Sequence, residues 1–233
     1  MAKEIEFIYI TEHSYNTYLR PEPAKTFIPD WYKDLQPYKN GKFGIHNGVT
    51  NATAKKCTPL LDSMVTGYIV PLWADVYVED IENRPSISWT TSVNVFQKHD
   101  ESATLMPPPE GYSKHMVKYV SSLTVRTPKG YSILVTQPSG YQDSPFRTVP
   151  AIIDTDTDKI LDLPFPLWVQ EGYTGIVEKG TPLVQIIPFK RDNWKSKFSF
   201  ITGEELRVRA DRSFNSVIKN HYTRFVWKKK DFK

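Results

Sequence analysis

Residues 123–140 read LTVRTPKGYSILVTQPSG, residues 149–169 read VPAIIDTDTDKILDLPFPLWV, and residues 173–194 read YTGIVEKGTPLVQIIPFKRDNW. Each is a set of short apolar or β-branched runs broken by Pro, Gly or Asp. Runs of that length and punctuation are strands, because β-branched side chains pack well on a pleated surface and Pro and Gly end the ladder. The block predicts a mainly β fold: an antiparallel jelly-roll-like sandwich or barrel.

Working outward, residues 3–10 (KEIEFIYI) alternate well enough for a first strand, and residues 84–96 set Ile87, Trp89 and Thr91 against Ser86, Ser88 and Thr90. Such a period of two marks a half-buried strand. Residues 68–78 are strand-like with a break at Pro71, and residues 115–125 are strand-like again. Asp30 is placed to cap a short helix beginning at Trp31, and Trp31 is placed to tie the N-terminal arm to the core. Residues 41–53 are rich in Gly and Asn and form a loop, while 106–109 (MPPP) give an exposed, partly extended one. Near the C-terminus Phe214, Val217, Ile218, His221, Tyr222 and Phe225 fall on one helical face. A helix with such a stripe buries it, so Phe214, Ile218, Tyr222 and Phe225 are expected to pack against the β core.

The 233 residues are expected to form one β-rich domain, with an N-terminal arm and loops to residue 55, a β core over 56–201, and a C-terminal helix and basic tail over 204–233. Eighteen prolines against eleven glycines suit strands joined by stiff loops better than a helical bundle. A net charge of +4 falls short of a dedicated nucleic-acid binder. A single cysteine, Cys57, excludes an intramolecular disulfide and any multi-cysteine metal site. No apolar run is long enough to span a bilayer and no signal-peptide pattern opens the chain, so the expectation is a soluble protein of the cytoplasm or of a virion, with no membrane partner. The Asn51-Ala52-Thr53 sequon is read as chance.

The chemistry-bearing clusters are few. Asp154, Asp156 and Asp158 alternate with threonines and can present oxygens to a hard cation. The EF-hand pattern fails at Lys159 and Phe165, and the competing reading is a polar connection whose side chains satisfy turn amides. Asp154 and Asp156 are nevertheless the candidate metal ligands. No cofactor is predicted; a divalent metal is the open alternative. Cys57 lies beside Lys55 and Lys56, which favours a thiolate, although buried structural cysteines are the commoner case. His13, His46, His99, His115 and His221 make no local metal-binding spacing, and His221 on the apolar helix face reads as packed. Thr127-Pro128-Lys129-Gly130 is turn chemistry flanked by Arg126 and Tyr131, a pair able to hold an anionic or planar ligand. Lys228, Lys229 and Lys230 beside Trp227 form a basic–aromatic tail, with exposed charges and weak, salt-sensitive nucleic-acid attraction at most.

Three segments carry a resemblance. Lys56-Cys57-Thr58-Pro59-Leu60 with Gly67-Tyr68, then Arg126-Thr127-Pro128-Lys129-Gly130-Tyr131-Ser132, then Ile153-Asp154-Thr155-Asp156 with Glu178-Lys179-Gly180-Thr181-Pro182 and Pro188 are similar, in that order, to a family of functionally uncharacterised proteins of bacteria and tailed phages, including marine phages. The matched stretch runs from about residue 21 to residue 194 and leaves out the Lys-rich end. The resemblance implies a phage-encoded protein and no activity. The run LVQIIPF resembles strands of dUTPase-like barrels, but the Gly-Ile-Asp-x-x-Tyr-Arg-Gly and Arg-Ser-Ser motifs of those enzymes are missing, and that activity is set aside.

Two functional expectations follow. The first is a non-catalytic binding or assembly protein, extending to a virion component, with a protein partner or self-assembly ahead of nucleic acid. Its rival is a small-molecule-binding protein or metal-dependent enzyme with a pocket in the β barrel, lined by Arg126, Tyr131, Asp154 and Asp156, with Cys57 or His115 as further members.

Overall fold

The computed structural model describes residues 3–47, 49–82, 84–99, 106–157, 159, 162–218 and 222–233, the side chains of 211–218 excepted. The fold is mainly β and jelly-roll-like, and every strand pairing among the described residues is antiparallel. A five-stranded sheet runs Ala151–Asp154, Tyr131–Thr136, Pro182–Lys190, Tyr68–Pro71, Glu22–Pro23 in spatial order. A four-stranded sheet runs Phe146–Thr148, Phe165–Val169, Val117–Tyr119, Phe96–Lys98, and a three-stranded one runs Gly175–Val177, Val76–Ile81, Arg84–Ser88. Glu6–Tyr9 pairs with Leu123–Arg126.

The burial of each strand follows from its neighbours. Pro182–Lys190 is the middle strand of the largest sheet, and its first five residues are all buried, so it reads as a continuous apolar run rather than an alternation. Arg84–Ser88 is an edge strand exposed on one face and alternates as the sequence predicts. Between the sheets Leu72, Val76, Val95, Tyr119, Ile133, Phe146, Leu167 and Ile186 form one apolar core. Trp73 stacks on Tyr18 at 3.8 Å and its indole N–H donates to the Val120 carbonyl at 3.0 Å. The Tyr119 hydroxyl donates to the Pro71 carbonyl at 2.7 Å, and full burial holds its pKa well above the usual tyrosine value.

Two positions tie the helix Thr58–Val65 to the sheet. Gly67 has φ +81°, and a Cβ there would stand 2.1 Å from the Ile186 carbonyl oxygen, so only glycine lets the two backbones approach. Gln185 is fully buried, and its amide donates to the carbonyls of Ser63 and Thr66 at 2.8 and 2.7 Å while its oxygen accepts from the Ser139 N–H at 2.9 Å. A buried carboxamide is tolerated because all of these groups are satisfied at once.

Several expectations need adjustment. Pro71 ends its strand rather than breaking one: Tyr68–Pro71 and Val76–Ile81 lie in different sheets. Asp30 is the first residue of its helix, not the cap; Pro29 precedes it without a side-chain bond, and Asp30 accepts from Lys33 instead. Trp31 does tie the arm down, donating to the Gly140 carbonyl at 2.8 Å. Asn51 fixes the Gly/Asn loop, its amide donating to the carbonyls of Lys39 and Lys42 and its oxygen accepting from the Gly44 N–H.

The C-terminal helix departs most. It spans Gly203–Ile218, earlier than the stripe suggested, with a π-helical turn at Tyr222–Val226. Phe225 is 73% exposed and does not bury its ring in the core, and residues 203–210 are exposed on every side. His221 and the side chains of Phe214 and Ile218 lie outside the described residues. Of the stripe, Tyr222 is half-buried and Phe225 is exposed; the side chains of the other four residues lie outside the described ones. No helix among the described residues is long and apolar enough to cross a membrane.

Candidate functional site

The Thr127–Gly130 turn joins the strands Leu123–Arg126 and Tyr131–Thr136 and brings several of the predicted residues to one end of the large sheet. Gly130 sits at φ +85°, as the turn requires. Its N–H donates at 2.8 Å to Asp156, so this one of the alternating aspartates does satisfy a turn amide. Asp154 accepts from the Ser132 hydroxyl at 2.6 Å.

Arg191, just beyond the end of the long strand, closes the cluster. Its guanidinium grips Asp156 in bidentate fashion, reaches Asp154 at 3.0 Å and donates to Ser132 at 3.1 Å. The hydrogen bond from Ser132, then that from Arg191, holds the Asp154 carboxyl below the usual range. Asp156 is lowered chiefly by Arg191 and then by the Gly130 N–H, and Arg191 is raised in turn. The two candidate metal ligands are therefore both engaged by one cation. Among the described residues no group of three or more His, Cys, Asp or Glu side chains is placed to share a metal ion. Arg191 is 35 residues from Asp156 in sequence and carries no motif, so nothing in the chain announces it. Arg126 is turned to the neighbouring strand, where it pairs with Glu6 at 2.8 Å.

Beside this cluster lies a cavity of about 330 Å³, walled by Tyr68, Tyr131, Pro128, Pro188 and Phe232. Besides Tyr68 and Pro188 of the large sheet, three parts of the chain supply its walls. The turn gives Pro128 and Tyr131, the N-terminal strand approach gives Lys3 and Glu4, and the C-terminal residues Asp231–Lys233 close one side. Phe232 meets Tyr68 edge to face at 5.9 Å, the Tyr68 hydroxyl donates to the Lys233 carbonyl at 3.1 Å, and Asp231 pairs with Lys25 at 3.4 Å and Lys233 at 3.5 Å. The Lys3 ammonium stands 4.8 Å over the Tyr131 ring. Lys3 has no ion pair among the described residues, whereas Asp231 is neutralised twice. The cavity thus combines aromatic walls with the Lys3 ammonium, and Glu4, which likewise makes no ion pair among the described residues, adds a carboxylate at its edge.

The other candidates are elsewhere. Cys57 is exposed, which corrects the expectation of burial, and immediately precedes the helix Thr58–Val65. The Lys55 ammonium donates to the carbonyls of Tyr32 and Lys33 at 2.7 and 3.0 Å, and that of Lys56 sits 5.4 Å over the Tyr38 ring. His115 lines a separate cavity of about 300 Å³ with His99, Lys98 and Arg84. In the basic tail Lys228 and Lys229 are exposed, but Lys230 is bound to Asp62, which also accepts from the Trp227 indole. All three tail lysines are exposed, as expected, but Lys230 pairs with Asp62 at the surface, so the tail folds back onto the helix Thr58–Val65.

No protein-family model and no curated protein matches the chain. Among solved structures the chain is similar to a dUTPase from phage phi11 of S. aureus, at 12% identity and a TM-score of 0.37, covering 87% of this chain and 98% of that one. It is similar to a mutant dUTPase of phage 80alpha, at 12% identity and a TM-score of 0.36 with the same coverage. A third is a Staphylococcus bacteriophage 80alpha dUTPase mutant with dUpNHpp, at 10% identity and a TM-score of 0.35, again over 87% and 98%. At these values the likeness is one of chain path and transfers no activity. These similar structures are enzymes, and the expectation of a non-catalytic binding or assembly protein, virion component included, is corrected accordingly.

Proposed function

We propose that the chain binds a small, planar, acidic molecule in the cavity between Tyr131 and Phe232. The observation that carries this is the juxtaposition of aromatic walls with the Lys3 ammonium over Tyr131, in a cavity of about 330 Å³. Ligand pockets begin at about 300 Å³ and are built in this way, with apolar walls for affinity and a few polar groups for orientation. An aromatic wall stacks a flat ring, and an unpaired cation at its edge takes the acid group. The Asp154–Arg191–Asp156 network is the positioning element, since it clamps the Gly130 turn that carries Tyr131.

Nucleotides belong to this chemical class and are the first probes. dUTP and dUpNHpp are among them, the similar solved structures being dUTPases. Kinship with the bacterial and phage family rests on the three ordered motifs and stands as part of the proposal, as do self-association and a place of action in the cytoplasm.

Titration calorimetry with nucleosides, nucleotides and aromatic carboxylic acids tests the reading, with phosphate release followed in the same samples. Binding that drops about tenfold or more in Lys3→Ala and in Tyr131→Ala supports it, since one charged or stacking contact contributes about 1–2 kcal/mol. Failure of the whole panel to bind, together with an empty native mass spectrum, would sink it.

A further inference from the structure

The stretch 191–202 leaves the end of the long strand and makes no regular structure before the helix Gly203–Ile218. It displays Trp194 at 89%, Phe198 at 93% and Phe200 at 87% exposure, with Lys195 and Lys197 between them. Isolated exposed aromatics are ordinary; three at this exposure within seven residues are not. On the body of the molecule an open groove of about 640 Å³ is lined by Phe27, Pro29, Trp31, Tyr173, Ile176 and Pro182. Ile176 is 67% and Trp31 46% exposed there. Asp143 and Glu178 also line this groove, and neither has a salt bridge among the described residues. The same is true of Lys195 and Lys197.

We propose that the 193–200 strap of one copy seats in this groove of a second copy, its aromatic rings on Trp31 and Ile176 and its lysines beside Asp143 and Glu178. Apolar side chains meet an apolar floor, and unpaired cations meet unpaired carboxylates. The Pro182 end of the groove on the same chain is out of reach for the first ring. Pro182 lies at the groove and Lys190 at the other end of the strand, eight steps or about 26 Å away. The Arg191 N–H is pinned to the Gly130 carbonyl at 2.9 Å, and the three steps from Arg191 to Trp194 span at most about 11 Å.

The area also suits an exchange between copies. Aromatic side chains bury about 150–250 Å² each, so two reciprocal straps bury on the order of 1,000 Å² from their rings alone, before the groove side is added. Stable interfaces need about 1,200–2,000 Å² in total. The inference does not depend on the ligand cavity, which lies at the opposite end of the strand.

Sedimentation velocity of the full chain over a micromolar concentration series is the test. The intact chain is expected to self-associate, and the Trp194→Ser/Phe198→Ser/Phe200→Ser variant to sediment as a monomer with an unchanged far-ultraviolet circular dichroism spectrum, its melting temperature matching that of the intact chain at dilutions where both are monomeric. Asp143→Lys/Glu178→Lys and Lys195→Glu/Lys197→Glu are each expected to associate at least about tenfold more weakly alone, because like charges then face each other. Mixed together they are expected to regain association, since each then offers the other an opposite charge at both contacts. An intact chain that stays monomeric throughout, an oligomer that survives loss of the three rings, or a mixture that stays as weak as its components would each overturn the proposal. Association of the strap only with some other protein would overturn it as well.

Discussion

The strand Pro182–Lys190 and the strap that follows it are adjacent in sequence and opposite in fate. In the strand, Gln185 is polar, fully buried and bonded through all its amide groups. In the strap, Trp194, Phe198 and Phe200 are apolar and almost fully exposed. Burial is thus decided by what the topology supplies opposite a residue, not by the residue's own polarity. The strand has a sheet on both flanks and a helix end above it, whereas among the described residues nothing covers the three rings of the strap.

Substitutions can break or sharpen that contrast. The largest effect is expected in the core, where Phe146 is 1% exposed and stacks on Phe96 at 5.1 Å. Phe146→Ala should lower unfolding stability by about 3–5 kcal/mol, read from urea midpoints at constant slope. Gln185→Leu keeps the volume but orphans the Ser139 N–H and the carbonyls of Ser63 and Thr66, and should cost about 2–4 kcal/mol. If it were neutral, the buried amide would not be the tie between helix and sheet.

A smaller effect is expected at the Arg191 cluster, on the border between strand and strap. Asp154 and Asp156 have folded-state pKa values below their unfolded ones. Their contribution is therefore complete above the unfolded carboxylate pKa, about 3.9, and is lost as pH falls through the lower folded values. Arg191→Gln should flatten that part of the acid limb by lowering the melting temperature modestly at neutral pH, where the contribution is complete, and changing little once both carboxyls are protonated. An acid limb identical to that of the parent chain would show that the network adds nothing. The smallest effect is at Trp194→Ser, where intramolecular stability should stay within about 0.5 kcal/mol, measured at a concentration low enough to keep the protein monomeric.

What was legible in the sequence follows the same line. The strands were readable because period and punctuation are local, as in Arg84–Ser88. The Gly130 turn was readable because Gly and Pro carry turn chemistry by type, but its bond to Asp156, 26 residues on, was not. Arg191 was not, because its partners Asp154 and Asp156 become neighbours only when the sheet assembles. The C-terminal stripe was half legible: an amphipathic pattern shows that a face seeks cover, and Phe225 at 73% exposure shows that the pattern does not say from where.

The strap has a consequence for proteolysis. In the unassociated chain it presents Lys195 and Lys197 to solvent and lies outside every helix and strand, which is what trypsin needs to seat a backbone in its cleft. The chain beyond it returns to the body and is held there by Trp227 and Lys230 on Asp62, by Phe232 on Tyr68 and by Asp231 on Lys25. A cut at Lys195 or Lys197 would leave two pieces joined without a covalent link, migrating apart on a denaturing gel while eluting together from a sizing column.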